Sequence, residues 1–285
     1  FIFAHSFAVG ADLQQTSMRT LWIVAFIVAV GVFIAHRIIR PVRLRRRPWR
    51  VVDVQEEMEG VNTVKLVPPE SGSVYDYLPG QFQFITFFRD RGLPVEEHHW
   101  TISSSPTQKG YVTSTIKSLG DFTATIKDTR PGDTAAVHAP FGRFSYALHP
   151  EEKDLVFIAG GIGITPLMSM LRHMRDTRDT RSVLLLYGNP DADRIVFRDE
   201  LEQIDAGEHP RLKVVHVLSD PGENWTGERG MIDGERIAKY CGHDLSRKVF
   251  YVCGPPPLIE GVVSALQERG VSHRRIRVEI FSFLD

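Results

Sequence analysis

Residues 155–174 read LVFIAGGIGITPLMSMLRHM, and this stretch decides the fold. Leu155 to Ala159 are all apolar, the pattern of a strand buried on both faces. Gly160, Gly161 and Gly163 let the backbone turn tightly and come close to a ligand. Thr165 suits an N-cap and Pro166 the first helical position, so a helix should follow. The N–H groups exposed at such a helix start form an anion site suited to a pyrophosphate. A glycine turn alone is also ordinary structural punctuation.

Residues 248–270, KVFYVCGPPPLIEGVVSALQERG, repeat the layout. Cys253, Gly254 and Pro255 stand at the carboxyl end of a second apolar strand. Leu258, Ile259, Val262, Val263 and Leu266 follow as a helical stripe, with Gly270 as its stop. SVLLLYGN (182–189) and LKVVHVLS (212–219) are further strands between helical patterns. Alternation of this kind predicts a parallel sheet covered on both faces, with ligands at the carboxyl ends of its strands. Tyr187, Gly188 and Asn189 should meet the two turns there.

Working outward, the segment after Arg50 changes to period two: RVVDVQEE, NTVKLVPP, QFQFITFF, HWTISSS, YVTSTIKS and DTAAVHAP, separated by turn clusters. Short strands at this spacing predict a small antiparallel barrel. Alternation puts His98, Trp100 and Ile102 on one face and Thr101 and Ser103 on the other. Ile116, Lys117, Gly120, Asp121, Phe122 and Thr123 read as a strand end, a glycine turn and a helix start that can hold a second phosphate.

Leu21 to Ala35 carry no charge, and the run extends from Met18 to Ile39, a spanning length. Seven arginines and no acid follow between Arg37 and Arg50. Positive charge beside an apolar span marks the cytoplasmic side, and it attracts an anionic leaflet. Phe1 to Val9 form a second apolar stretch, joined to the span by a short outer loop. The chain therefore divides into a membrane segment at 1–49, a barrel at 50–150 and an α/β domain at 151–285. A net charge of −1 argues against nucleic acid, and two cysteines, Cys241 and Cys253, cannot form a four-thiolate metal site.

The ordered motifs HHWTISS, IKSLGDFT, PFGRFS, GGIGITP, YGN, CGPPP and VEIF resemble the ferredoxin–NADP reductase superfamily. Within it the chain looks most like the dehydrogenase part of NADPH oxidases and ferric reductases. The resemblance implies an FAD-binding barrel and a Rossmann-like NAD(P)H domain behind a transmembrane helix. It puts Trp100 against the flavin, Thr101 near its reactive nitrogen and His98 at the FAD phosphates. Ile116, Lys117 and Gly120 to Thr123 match the flavin pyrophosphate segment. Gly160, Gly161, Gly163, Thr165 and Pro166 match the nicotinamide-dinucleotide loop, with Asn189, Gly254 and Pro255 beside it. Cys253 matches the thiol next to the transferring hydride, Glu279 the terminal acid and Phe281 the aromatic that covers the flavin. Residues 282–285 follow that aromatic, a departure that makes Phe283 an alternative cover. Arg194 or Arg198 can pair with a 2′-phosphate, which Asp191 and Asp193 would repel, and the resemblance tips the choice to NADPH over NADH.

The function implied is hydride transfer from NAD(P)H to FAD, then single electrons to transmembrane b-type haem, for reduction of oxygen or ferric iron. A flavin fits between a hydride donor and a one-electron acceptor. In this reading His5 is a haem ligand whose partner histidines lie on missing upstream helices, so this chain alone holds no haem. The flavin and nicotinamide domains lie on the cytoplasmic side of a plasma or inner membrane. The alternative is a membrane-tethered flavin reductase serving a quinone, a cytochrome or a soluble partner. A degenerate flavodomain acting only as a binding module is the non-enzyme reading.

Overall fold

The computed structural model describes residues 16–70, 72–242 and 244–281, so His5 and Phe283 lie outside the described residues. The chain divides after Pro48 into two compact units. The first contains α1 (Thr16–Ile34), a π-helical turn (Ala35–Ile39) and α2 (Arg40–Arg46). Together they form a 31-residue helix, long and apolar enough to cross a membrane by length and composition. Its most apolar window has a mean hydropathy of 2.3 and no buried residue.

The second unit, Trp49–Asp285, holds two sheets. The first is antiparallel, built from β1 (Trp49–Met58), β2 (Val61–Val67), β3 (Phe82–Phe88), β4 (Glu97–Thr101), β5 (Val112–Lys117) and β6 (Thr134–Phe141) in the order β4-β3-β6-β1-β2-β5. Period two is visible in β3, where Gln83, Ile85 and Phe87 are fully buried and the residues between them are not. Val51, Val64, Leu66, Val112 and Ile116 complete that core. The helix α3 (Asp121–Ala124) lies between β5 and β6 in sequence.

A closed barrel is not what this sheet makes. β4 and β5 are its two ends, and no ladder joins them. Beyond the end of β4, Ser103 N donates to Thr113 O at 2.8 Å, and Ser114 Oγ donates to Thr101 O at 2.8 Å. These bonds, with Thr113 N donating to Ser104 Oγ at 3.1 Å, join the two ends where β4 gives way to the segment after it, without a ladder.

The second sheet is parallel: β7 (Asp154–Gly160), β8 (Ser182–Asn189), β9 (Arg211–Leu218), β10 (Glu228–Arg229), β11 (Val249–Cys253) and β12 (Ile276–Glu279), ordered β10-β9-β8-β7-β11-β12. α4 (Ile164–Asp176) and α5 (Arg198–Asp205) pack on one face through Leu167, Leu171, Leu201 and Ile204. α6 (Gly234–Cys241) and α7 (Pro256–Glu268) pack on the other through Ile237, Leu258, Val262 and Leu266. Each such side chain contributes roughly 1.5–3 kcal/mol by burial. Gly270 has φ +76° just past α7, the left-handed stop read from its sequence. Chain order runs one way from β7 to β10 and then resumes at β11 on the other side of β7. That reversal is a topological switch point at the carboxyl ends of β7 and β11, the place where open sheets bind ligands.

Candidate functional site

Both glycine turns stand at this switch point, but their glycines divide the work. A Cβ on Gly163 would lie 2.4 Å from Cys253 O and 2.7 Å from Gly254 N. One on Gly160 would lie 2.8 Å from Pro255 Cδ, and one on Gly254 3.0 Å from Gly160 N. These three glycines let the two turns pack against each other. Gly161 alone, with φ +51° and nothing within 4 Å of its would-be Cβ, faces open space.

Thr165 is not the N-cap. A 3-10 turn at Gly161–Gly163 precedes the helix, so α4 begins at Ile164 with Gly163 as its cap. The Thr165 hydroxyl donates back to Ile162 O at 3.1 Å, and Pro166 falls within the first turn, where no helical N–H partner is lost. Tyr187 steadies the turn by donating to Gly161 O at 3.1 Å. Asn189 ends β8, buried, and neither atom of its side-chain amide makes a well-formed hydrogen bond.

Cys253 is fully buried and sits in register with Ala159 of β7 and Glu279 of β12. Burial, and then the Glu279 charge, push its thiol well above the ordinary range. Burial also pushes the Glu279 carboxyl up to about 7. Phe281 is partly buried against the cluster that contains Cys253. Pro255 is exposed.

In the antiparallel half, His98 and Trp100 share a face of β4, their rings 5.6 Å apart. His98 also stacks on Phe122 at 4.1 Å, and its Nε2 lies 2.9 Å from the Glu96 carboxylate. Trp100 Nε1 is buried without a partner. Thr101 is buried on the opposite face. Ile116 and Phe122 are core side chains, so only their main chain can serve a ligand. Lys117, Gly120 and Asp121 are exposed. Thr123 Oγ1 accepts from Leu119 N and Gly120 N at 2.8 Å each, so two turn amides are satisfied internally. β5 lies against the Gly161–Gly163 turn, which brings the two halves together.

Three features were missed in the sequence. Arg89 is buried and donates to Thr125 O at 2.9 Å and Pro94 O at 3.1 Å, fixing the start of β4 to the segment after α3. Arg172 and Glu200 form an ion pair at 2.5 Å. Arg194, expected to be available for a phosphate, lies 3.3 Å from Asp191, and Arg198 lies 3.0 Å from Glu202. A lone arginine beside an apolar strand or on a helix reads as a solvated charge, and only the Asp191–Arg194 and Arg198–Glu202 spacings signal local pairs.

The unpaired Trp100 N–H, the Asn189 amide without a well-formed hydrogen bond and the open Gly161 turn suit a planar, amide-bearing dinucleotide pair. Comparison with known proteins agrees. The family model for an oxidoreductase NAD-binding domain matches residues 157–264. NADH-cytochrome b5 reductase 1 of Debaryomyces hansenii is 32% identical over 192 residues, covering 61% of this chain and 67% of that protein. The chain belongs to the ferredoxin–NADP reductase-like superfamily. As a member it is an FAD- and NAD(P)H-binding oxidoreductase.

Other relatives of this superfamily member show its breadth. The reductase component of propane 2-monooxygenase from Rhodococcus jostii is 28% identical over 241 residues, 82% of this chain, which spans 63% of that protein's length. The CS-b5R domains of human Ncb5or, in the NAD+ form, superpose with a TM-score of 0.70 at 25% identity, covering 81% of this chain and 68% of that one. The FAD/NAD-binding domain of nitric oxide dioxygenase from Vibrio cholerae shares the fold, with a TM-score of 0.72 at 24% identity over 82% of this chain and 98% of that one. The narrower resemblance to NADPH oxidases and ferric reductases rests on the sequence motifs alone.

Proposed function

We propose that this chain is an NADH-dependent flavin reductase that passes electrons one at a time to a partner's one-electron centre. The supporting observation is the switch point between β7 and β11, where the open Gly161, the buried Asn189 amide, Cys253 and Glu279 stand at adjoining strand ends. FAD supplies the conversion of a two-electron hydride into single electrons. The chain's own residues bind and exclude water. Asn189 offers both a donor and an acceptor to a nicotinamide amide, and Gly161 leaves room for a phosphate beside the helix start. Cys253, held neutral, packs at the end of β11 without adding charge. Trp100 presents an aromatic edge and an N–H to the flavin side.

Two features support NADH over NADPH. Arg194 is held by Asp191, so a 2′-phosphate must break that pair and face its acid. The relatives named above include NADH reductases. The acceptors in those relatives' names, cytochrome b5 and a monooxygenase, support a protein-borne acceptor here. A second reading is supported by the helix Thr16–Arg46, none of whose apolar window is buried. In that reading the helix spans a bilayer and the acceptor is haem within it, leading to oxygen or ferric iron.

Anaerobic mixing tests the first reading. FAD-loaded protein should be bleached by NADH, with kcat/KM at least tenfold above that for NADPH, and re-oxidised by ferricyanide and by a b-type cytochrome. Folded protein that takes up no flavin from excess FAD would end this reading. A preference for NADPH would overturn the coenzyme assignment alone.

A further inference from the structure

α4 starts at the Gly161–Gly163 turn and runs for 13 residues, about 20 Å at 1.5 Å per residue. Its polar residues Ser169, Arg172 and Asp176 stand at i, i+3 and i+7, one stripe of the helix. All three bond the segment that directly follows Trp100 and Thr101. Ser169 Oγ donates to Ser104 O at 2.7 Å, and Arg172 donates to Ser103 O at 2.7 Å. Thr107 Oγ1 donates to Asp176 at 2.5 Å. Glu200 of α5 holds Arg172 at 2.5–3.2 Å through two guanidinium nitrogens. The Arg172 guanidinium also lies 4.7 Å from the centre of the Phe197 ring, which restricts its swing.

This stripe borders an open cleft of about 260 Å³ lined by Asp53, Lys65, Gln108, Arg172, Arg175 and Glu200. Apolar contact does not fill the cleft, so the hydrogen bonds fix the spacing there. Burial alone raises the Glu200 carboxyl, but the bonds from Arg172 and Arg175 outweigh it and hold the group below its ordinary range. The pair therefore stays charged at neutral pH.

We propose that Arg172, clamped by Glu200, is a positioning residue for hydride transfer: it ties the strand bearing Trp100 and Thr101 to the helix that begins at the nicotinamide turn. This rests on the flavin-reductase reading. Neither side chain is among those assigned to a cofactor; the effect passes through the Ser103 carbonyl to Thr101 two residues earlier. Hydride transfer depends steeply on donor–acceptor distance, and a misplacement of about 1 Å can lower the rate roughly 100-fold.

The test uses the full chain loaded with FAD. Wild-type reduction by NADH checks the underlying reading, and the variants are read only as ratios to it. Arg172→Ala should lower the limiting rate of flavin reduction at least tenfold per bound flavin. It should also weaken the long-wavelength nicotinamide–flavin charge-transfer band, with FAD content and the Kd for NADH within about twofold. Arg172→Lys should restore little, because an ammonium lacks the planar fork that serves Glu200 and Ser103 together. Thr107→Val leaves no charge stranded and serves if Arg172→Ala folds poorly; it should give a smaller loss in the same two readouts. A purely structural role would lower the melting temperature and leave both readouts at wild-type values below it. Unchanged rate and band in the folded variants would overturn the proposal.

Discussion

Cys253 and Glu279 meet across β11 and β12, where burial raises both groups and the Glu279 charge raises the thiol further. A thiol lifted by burial stays protonated near neutrality, so Cys253 acts by bulk and weak polarity and not as a nucleophile. Cys253→Ala should lower flavin reduction by NADH roughly tenfold, the scale of a lost orientation, with FAD content unchanged. Cys241→Ala, whose thiol lies in the other core with its pKa pushed to about 11, should change neither. Rapid-mixing spectroscopy checks both, and equal effects would make Cys253 a packing residue. Glu279 holds its proton more tightly folded than unfolded, its ordinary value of 4.5 rising to about 7. Its contribution to stability is therefore full below about pH 4.5 and is lost as pH rises through 7. The melting temperature of wild type should fall more steeply between pH 5 and 8 than that of Glu279→Gln. A limb near pH 7 in the flavin-reduction rate should vanish in the same variant.

Among the elements, the paired turns after β7 and β11 tolerate little change. Gly163→Ala drives a methyl into the Cys253 carbonyl, and that main chain has no flexible end to yield. Gly161→Ala meets open space and bears only the left-handed φ, about 1–2 kcal/mol. Denaturant unfolding should show Gly163→Ala losing clearly more than Gly161→Ala, and the reverse order would mean that the turns do not pack as described. The apolar runs at 155–159 and 249–253 were legible because a strand buried on both faces needs no tertiary knowledge. The switch point followed once β11 was seen to lie beside β7. Closure of the antiparallel sheet was not legible, because pairing of β4 with β5 is a long-range matter of register. The cap at Thr165 was misread because the 3-10 turn moves the helix start by two residues. Arg172 and Glu200 were invisible for another reason: the partners are 28 positions apart, and each alone reads as a solvated charge.

At the scale of the whole chain, the division after Pro48 separates a helix with no buried residue from a unit with its own cores. A chain beginning at Trp49 keeps that buried indole against Tyr75, with ring centres 5.6 Å apart. It should fold without detergent, take up FAD and oxidise NADH at a rate within about threefold of the full chain, while only the full chain resists carbonate extraction from membranes. A shortened chain that precipitates, or a full chain that washes off, would defeat the tether.

The missing ladder between β4 and β5 bears on solution behaviour. Each strand leaves one rim of main-chain donors and acceptors without a ladder, and such rims are templates for a strand from another molecule. β4 blunts its rim by being five residues long and by opening on Glu97 and His98 next to Glu96. β5 has no such charge until Lys117, and five of its six residues are buried. With Val112 to Ile116 already buried, only the short, charged rim of β4 is offered to another molecule, so the break in the sheet adds little hazard of cross-chain pairing.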